Sequence, residues 1–277
     1  MVDAVATHYS GGGQMDGTAL AARIAEALGR AGKDIDELVP EDLATVDEFH
    51  IRGRKATLEI GSPLGLEAGS HLLDIGSGLG GPARTIARAY GCRVTGLDLT
   101  PAFCEAAAIL SGWVGLADRV AFRQGDATRL PFGDAAFDAA MTIHVAMNIA
   151  AKDRMYAEAR RVLKPGARFV AYDVLQGEGG EVAFPVPWAR EAAISHLATP
   201  DEMRGLLSDA GFEILAVEDS TEESQRWFEG VAARLAEAAP PVTFRSFLGD
   251  DFPTMTRNQV TNLRERRIRT VTFVCRA

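Results

Sequence analysis

One stretch limits the folds open to this chain more than any other: His71-Leu72-Leu73-Asp74-Ile75-Gly76-Ser77-Gly78-Leu79-Gly80-Gly81. It is an apolar strand that runs into a glycine turn, and Pro82 follows where a first helical turn accepts proline. Residues without Cβ tolerate unusual dihedrals and leave room for a ligand to reach the backbone. Strand, turn and helix in this order predict a βα unit of a parallel sheet, with a nucleotide-like ligand at its edge.

Gly76, Gly78 and Gly81 also satisfy the G-x-G-x-x-G spacing of dinucleotide binders, with Asp98 at the distance of a ribose ligand. Asp74 weighs against a pyrophosphate, because like charges repel. An ammonium or sulfonium group would welcome that carboxylate. The run Leu72 to Gly81 resembles motif I of the class I S-adenosyl-L-methionine-dependent methyltransferases. Its continuation through Pro82-Ala83-Arg84 is most similar to the sarcosine/dimethylglycine and ubiquinone-type branch. Gly125-Asp126-Ala127 matches that family's G-D-A segment, and Phe137-Asp138 its F-D pair. Leu163-Lys164-Pro165-Gly166-Ala167 resembles its L-x-P-G-G turn, with Ala167 in place of the second glycine.

Strand and helix alternate from residue 71 onward, which is the pattern of a doubly wound sheet. Strands are expected near 71–76, 92–98, 119–124, 137–144, 168–175, 213–219 and 268–275. Helices are expected near 81–90, 101–115 and 151–163, and two more precede the sheet, at 15–31 and 55–66, joined by a turn through Pro40. Residues 176–198, which contain Phe184-Pro185-Val186-Pro187-Trp188 and then a short helix, break the alternation, as do residues 222–266. Loops that long are uncommon unless functional, so both are assigned to a substrate cap. The expected architecture is therefore α/β: a doubly wound, seven-stranded, mostly parallel Rossmann-like methyltransferase sheet with N-terminal helices and a helical cap. Residues 1–69 form a helical prefix and lid, and residues 70–277 a cofactor-binding domain with cap insertions 176–198 and 222–266.

Ligands of open parallel sheets lie beyond the carboxyl ends of the strands, so each strand end supplies candidates. The resemblance implies that Asp74, Gly76, Ser77, Gly78 and Gly80 hold S-adenosylmethionine beneath its methionyl part and ribose. Asp98 accepts the ribose hydroxyls, Leu99 packs on the adenine, and Gly125, Asp126 and Ala127 meet its amino edge. His144 ends the fourth strand; its backbone touches the cofactor and its imidazole faces the acceptor, where an ordinary pKa near 6.5 suits a proton acceptor. Tyr9 and His50 are assigned as aids to His144, and Arg54 as a partner of the cofactor carboxylate. Trp188, Trp227, Phe228, Phe244 and Phe247 are candidate acceptor contacts.

The resemblance thus implies methyl transfer to a small-molecule acceptor, amine nitrogen favoured over oxygen or carbon, with S-adenosyl-L-homocysteine as product. Two other readings stay open: an NAD-dependent oxidoreductase on the same glycine spacing, and a non-catalytic S-adenosylmethionine-binding protein. A net charge of -9 lacks the basic footprint of a nucleic-acid or anionic-membrane binder, and the run Arg264-Glu265-Arg266-Arg267-Ile268-Arg269 is expected to be a solvated face. Cys92, Cys104 and Cys275 have no metal-ligand spacing and suit a reducing cytoplasm; Asp3 and the absence of a continuous apolar start do not resemble a signal peptide. No metal is expected, and oligomeric state has no signature in the sequence.

Overall fold

Alternate residues of each apolar run point to opposite sides of a strand, and both sides here are covered. The computed structural model describes residues 5, 8, 16–237 and 251–277. Its strands are β1 (His71–Ile75), β2 (Arg93–Asp98), β3 (Val120–Gln124), β4 (Phe137–Ile143), β5 (Leu163–Gln176), β6 (Glu213–Asp219) and β7 (Ile268–Arg276). They form one seven-stranded sheet in the order β3-β2-β1-β4-β5-β7-β6. Only β7 runs antiparallel to its neighbours. The strand order reverses beside β1, which places the crevice between the carboxyl ends of β1 and β4.

Helices α1 (Gly17–Arg30), α2 (Pro40–Asp47) and α3 (Gly53–Gly61) precede the sheet. The crossovers use α4 (Gly81–Tyr90), α5 (Pro101–Trp113), α6 (Lys152–Val162) and α7 (Pro200–Asp209). On one face, Leu73, Ile75, Phe169 and Phe273 pack with Met155 and Tyr156 of α6 and Met203 of α7. On the other, Leu72, Met141, Val170 and Tyr172 pack with Ala56 and Ile60 of α3 and Ile86 of α4. Each fully buried Leu or Ile contributes roughly 1.5–3 kcal/mol, so this two-sided burial holds the crevice rigid. The prefix is continuous with the domain: Leu20, Ile24 and Leu28 of α1 share a core with Ala106 and Leu110 of α5. Glu105 carboxylate oxygens also accept the Gly17 N–H at 3.1 Å and the Thr18 hydroxyl at 3.0 Å.

Three local expectations need correction. Pro40 opens helix α2 rather than a turn, because a proline at the first position needs no donor and Asp42 reaches back to the Val39 N–H at 3.0 Å. After Trp188 there is only a short 3₁₀ turn, Ala192–Ile194. Strand β5 runs from Leu163 because Gly166 turns within it at φ +79° and gives its N–H to the Ala277 carbonyl.

Between β6 and β7 lie α8 (Thr221–Glu237) and α9 (Phe252–Arg264). Residues 238–250, with Phe244 and Phe247, and residue Tyr9 lie outside the described residues. The basic run is matched by acids: Arg264 meets Glu229 at 3.4 Å, Arg266 meets Glu222 at 3.1 Å, and Arg269 meets Glu178 at 2.9 Å. Among the described residues no His, Cys, Asp and Glu group is placed to hold a metal ion, and no helix is long and apolar enough to cross a membrane.

Candidate active site

The carboxyl ends of β1, β2, β3 and β4 open into a cavity of about 540 Å³. Its floor is the glycine turn. Gly76 and Gly78 take φ of +79° and +52°, a region L side chains rarely adopt. A Cβ on Gly76 would lie 2.2 Å from Cγ2 of Val145, so the floor and the end of β4 touch only because that atom is missing. Gly76→Ala is expected to destabilise the protein by about 1–3 kcal/mol from backbone strain, with a comparable penalty from overpacking. In urea unfolding, adding Val145→Ala should recover the packing part and leave the strain.

Four acids line the floor and the adjoining wall: Asp47, Asp74, Asp98 and Asp126. Asp74 is 1% exposed, and its Oδ2 has no hydrogen-bond partner. Burial, with Glu48 and Asp98 nearby, pushes its pKa up to about 8. Ser77 Oγ beside it is likewise buried without a partner. Asp98 takes the Thr100 N–H on one oxygen and the Gly78 N–H on the other, both at 2.9 Å. Thr100 is the N-cap residue of α5 but its side chain makes no capping bond, and Asp98 holds that residue's own N–H instead. Asp126 Oδ1 accepts the Thr128 N–H and hydroxyl at 2.8 Å each. Leu99, Gly125 and Ala127 complete this end.

Two sequence assignments change here. Gly80 does not line the cavity; a Cβ there would strike the Phe122 ring at 2.3 Å, so it is glycine for packing against β3. Arg54 is also absent from the wall. Its guanidinium binds Glu41 and the Thr85 hydroxyl, both at 2.5 Å, because α3 turns that face toward α2 and α4.

His144 and His50 do line the cavity, with ring centroids 6.1 Å apart. His144 sits at φ +54°, gives its N–H to the Tyr172 carbonyl at 2.8 Å and keeps Nε2 buried without a partner. Burial, with His50 and Arg52 nearby, holds its pKa well below 6.5. It is therefore neutral at pH 7 and a weaker base than an ordinary imidazole. His50 is likewise held down to about 4 by burial, and its Nε2 already contacts the Gly53 carbonyl at 2.9 Å and the Thr57 hydroxyl at 3.1 Å.

The far side is apolar: Trp188, the α8 residues Trp227 and Phe228, and Phe252 of α9 line it, with Ile51, Met147 and Val174. The Trp227 and Phe228 rings meet edge to face at 5.0 Å, and the Trp188 indole N–H is held by Ser195 Oγ at 3.0 Å. Three contributions escaped the sequence reading. Asn148 ties the turn after β4 to the segment 188–194, donating to the Trp188 and Ile194 carbonyls at 2.8 and 2.9 Å. Gln259 of α9 reaches the cavity. Arg84, fully buried, binds Asp47 at 2.7 Å and the Leu79 carbonyl at 2.5 Å beneath the floor. Only Arg84 had a signal, as a charge on the apolar face of an expected helix.

Residues 73–171 match the family model described as a methyltransferase domain. Methyltransferase GfsG of Streptomyces halstedii is 30% identical over 190 residues, covering 66% of this chain and 67% of that protein. O-methyltransferase cnsE of Penicillium expansum is 33% identical over 188 residues, 66% of each chain. A sterol 24-C-methyltransferase of Gibberella zeae is 40% identical over 112 residues, 40% of this chain. The chain spans 30% of that sterol enzyme's length and about two thirds of the other two. Among solved structures, the (4+2)-cyclase SpnF superposes with a TM-score of 0.66 at 27% identity over 80% of both chains. A sarcosine dimethylglycine methyltransferase from Galdieria sulphuraria reaches 0.64 at 18% identity, covering 80% of this chain and 82% of that one, which is likeness of fold alone. This chain belongs to the class I S-adenosylmethionine-dependent methyltransferase family. Its relatives extend across sterol and oxygen methyltransferases, so the narrower sarcosine-type branch is not singled out.

Proposed function

We propose that this protein transfers a methyl group from S-adenosyl-L-methionine to a small, largely apolar acceptor, at oxygen or carbon. The observation that carries the reading is a single cavity joining an acid-lined glycine floor to an aromatic chamber under the cap. The floor fits the cofactor: Asp74 Oδ2 and Ser77 Oγ are buried polar atoms with no protein partner, beside turns open to close backbone approach. Asp74 would face the ammonium group, Asp98 the ribose hydroxyls, and Leu99 and Asp126 the adenine. Val145, pressed on Gly76, and its neighbour His144 would face the transfer point. The prefix and cap helices α8 and α9 would close over it as lid and roof.

When bound, the cofactor supplies a methyl carbon made electrophilic by the sulfonium, open to in-line displacement. The chain's contribution is alignment in a dry chamber, which can supply roughly 7–11 kcal/mol of barrier reduction. His144, neutral and with Nε2 unpartnered, would hold the acceptor group by a hydrogen bond and take the proton that an oxygen acceptor gives up as the methyl–sulfur bond breaks and S-adenosylhomocysteine leaves. An amine is no longer favoured, because the described cap-side wall offers no carboxylate to an ammonium ion, whereas oxygen and carbon acceptors need none.

Incubation with methyl-deuterated S-adenosylmethionine and pooled phenols, alcohols, alkenes, carboxylic acids and amines, read by mass spectrometry, tests this. A labelled product is expected with oxygen or carbon acceptors. Label on nitrogen overturns the acceptor class, and S-adenosylhomocysteine binding with no label moved from any pool or cell extract supports a binding or SpnF-like role. Replacing His144 by asparagine, which tolerates left-handed backbone, should slow transfer at least about tenfold with little change in S-adenosylhomocysteine affinity.

Binding should also depend on pH. With a pKa of about 8, Asp74 is mostly protonated at pH 7 in the empty site. The cofactor's ammonium favours the carboxylate, so binding releases a proton and affinity rises with pH. Calorimetry should find Kd about tenfold lower at pH 7 than at pH 6, with proton release seen as a dependence on buffer ionisation enthalpy, and the gain should end above about pH 8, where the ligand's own ammonium loses its proton.

A further inference from the structure

Helix α9 carries three carboxamides facing inward, and two are consumed by the cap segment beside them. Asn258 Nδ2 donates to the Pro185 carbonyl at 2.9 Å. Asn262 makes a reciprocal pair with Ala183, accepting its N–H at 2.9 Å and donating to its carbonyl at 3.0 Å. Gln259 lies between them, 1% exposed, and lines the acceptor chamber. Its Oε1 is enclosed with no hydrogen-bond partner. A buried amide left unpaired in an apolar wall costs stability, and such groups in folded proteins are nearly always satisfied. Neither α9 packing nor the hold on residues 183–185 needs this side chain, since Asn258 and Asn262 supply the hold and Met255 and Leu263 are the apolar buried residues of the helix.

We propose that Gln259 recognises a hydroxyl group of the methyl acceptor, separately from the group that His144 holds. A carboxamide both donates and accepts, as a hydroxyl does, so the two are matched in kind. The acceptor is then an apolar skeleton that bears a hydroxyl apart from the methylated atom. Such a site rejects an analogue lacking that hydroxyl, because the amide is then buried unpaired. The assignment to a methyl acceptor rests on the reading above; the hydrogen-bonding role of Gln259 does not.

The test compares naphthalene-2,6-diol with 2-naphthol by calorimetry on S-adenosylhomocysteine-saturated protein. Wild type should prefer the diol by about tenfold, the order expected of one buried hydrogen bond. Gln259→Met, and Gln259→Leu as a second variant should the first misfold, should bind both probes alike while keeping 2-naphthol and S-adenosylhomocysteine affinity. Equal binding of the two probes by wild type overturns the proposal, as does a preference that survives in the Gln259 variants. A preference lost in His144→Asn but kept in Gln259→Met gives the second hydroxyl to the imidazole and overturns it too. Failure to bind S-adenosylhomocysteine would strike the methyl-transfer reading alone, because the same probe comparison runs on the protein without it.

Discussion

Arg84→Ala is expected to remove about 3–5 kcal/mol of stability, the range for one partner of a buried ion pair left alone. The Arg84 guanidinium has no solvent exposure and donates to four acceptors: Asp47 Oδ2 at 2.7 Å, the Leu79 and Ala107 carbonyls at 2.5 and 3.1 Å, and Ser111 Oγ at 3.0 Å. Without it, the Asp47 carboxylate stays buried beside Glu48 with no cation of its own. Domains are typically stable by only about 5–15 kcal/mol, so the urea midpoint should fall by a large fraction. Asp47→Leu with Arg84→Met should be far less costly than either single change, because it leaves no unpaired charge. If Arg84→Ala shifted the midpoint by no more than a surface substitution, the pair would be structurally idle. Because Arg84 also holds the Leu79 carbonyl, S-adenosylhomocysteine affinity should fall along with stability.

Asp98→Ala should raise the S-adenosylhomocysteine Kd about 100-fold, at the upper end of what a charged hydrogen bond contributes. Two effects act together. The carboxylate is the group assigned to the ribose hydroxyls, and it already organises its own surroundings by accepting the Gly78 and Thr100 N–H groups. Removing it therefore loosens both the glycine turn and the start of α5. Asp98→Asn keeps the shape and one acceptor oxygen, and should lose less. Calorimetry with S-adenosylhomocysteine, and with NAD as comparison, decides the matter: unchanged affinity in Asp98→Ala would remove the residue from the site, and tight NAD binding would revive the oxidoreductase reading.

The sequence by itself determined the sheet and the floor of the site. Continuous apolar runs, glycines at positive φ and the acids at strand ends are local signals, written within a few residues of where they act, as at Asp74, Gly76 and Asp98. Pro40 shows the limit of such signals, since proline marks a helix start and a turn equally well. Tertiary structure alone decided what depends on partners far along the chain. The position of Arg54 followed from Glu41 and Thr85, and the neutrality of His144 from burial with His50 and Arg52 nearby. The pairing of Arg84 with Asp47 and the unpaired amide of Gln259 belong to the same class. Charge state and hydrogen-bond satisfaction are properties of an environment that only packing creates, so residue type and spacing can nominate a site but not set its electrostatics.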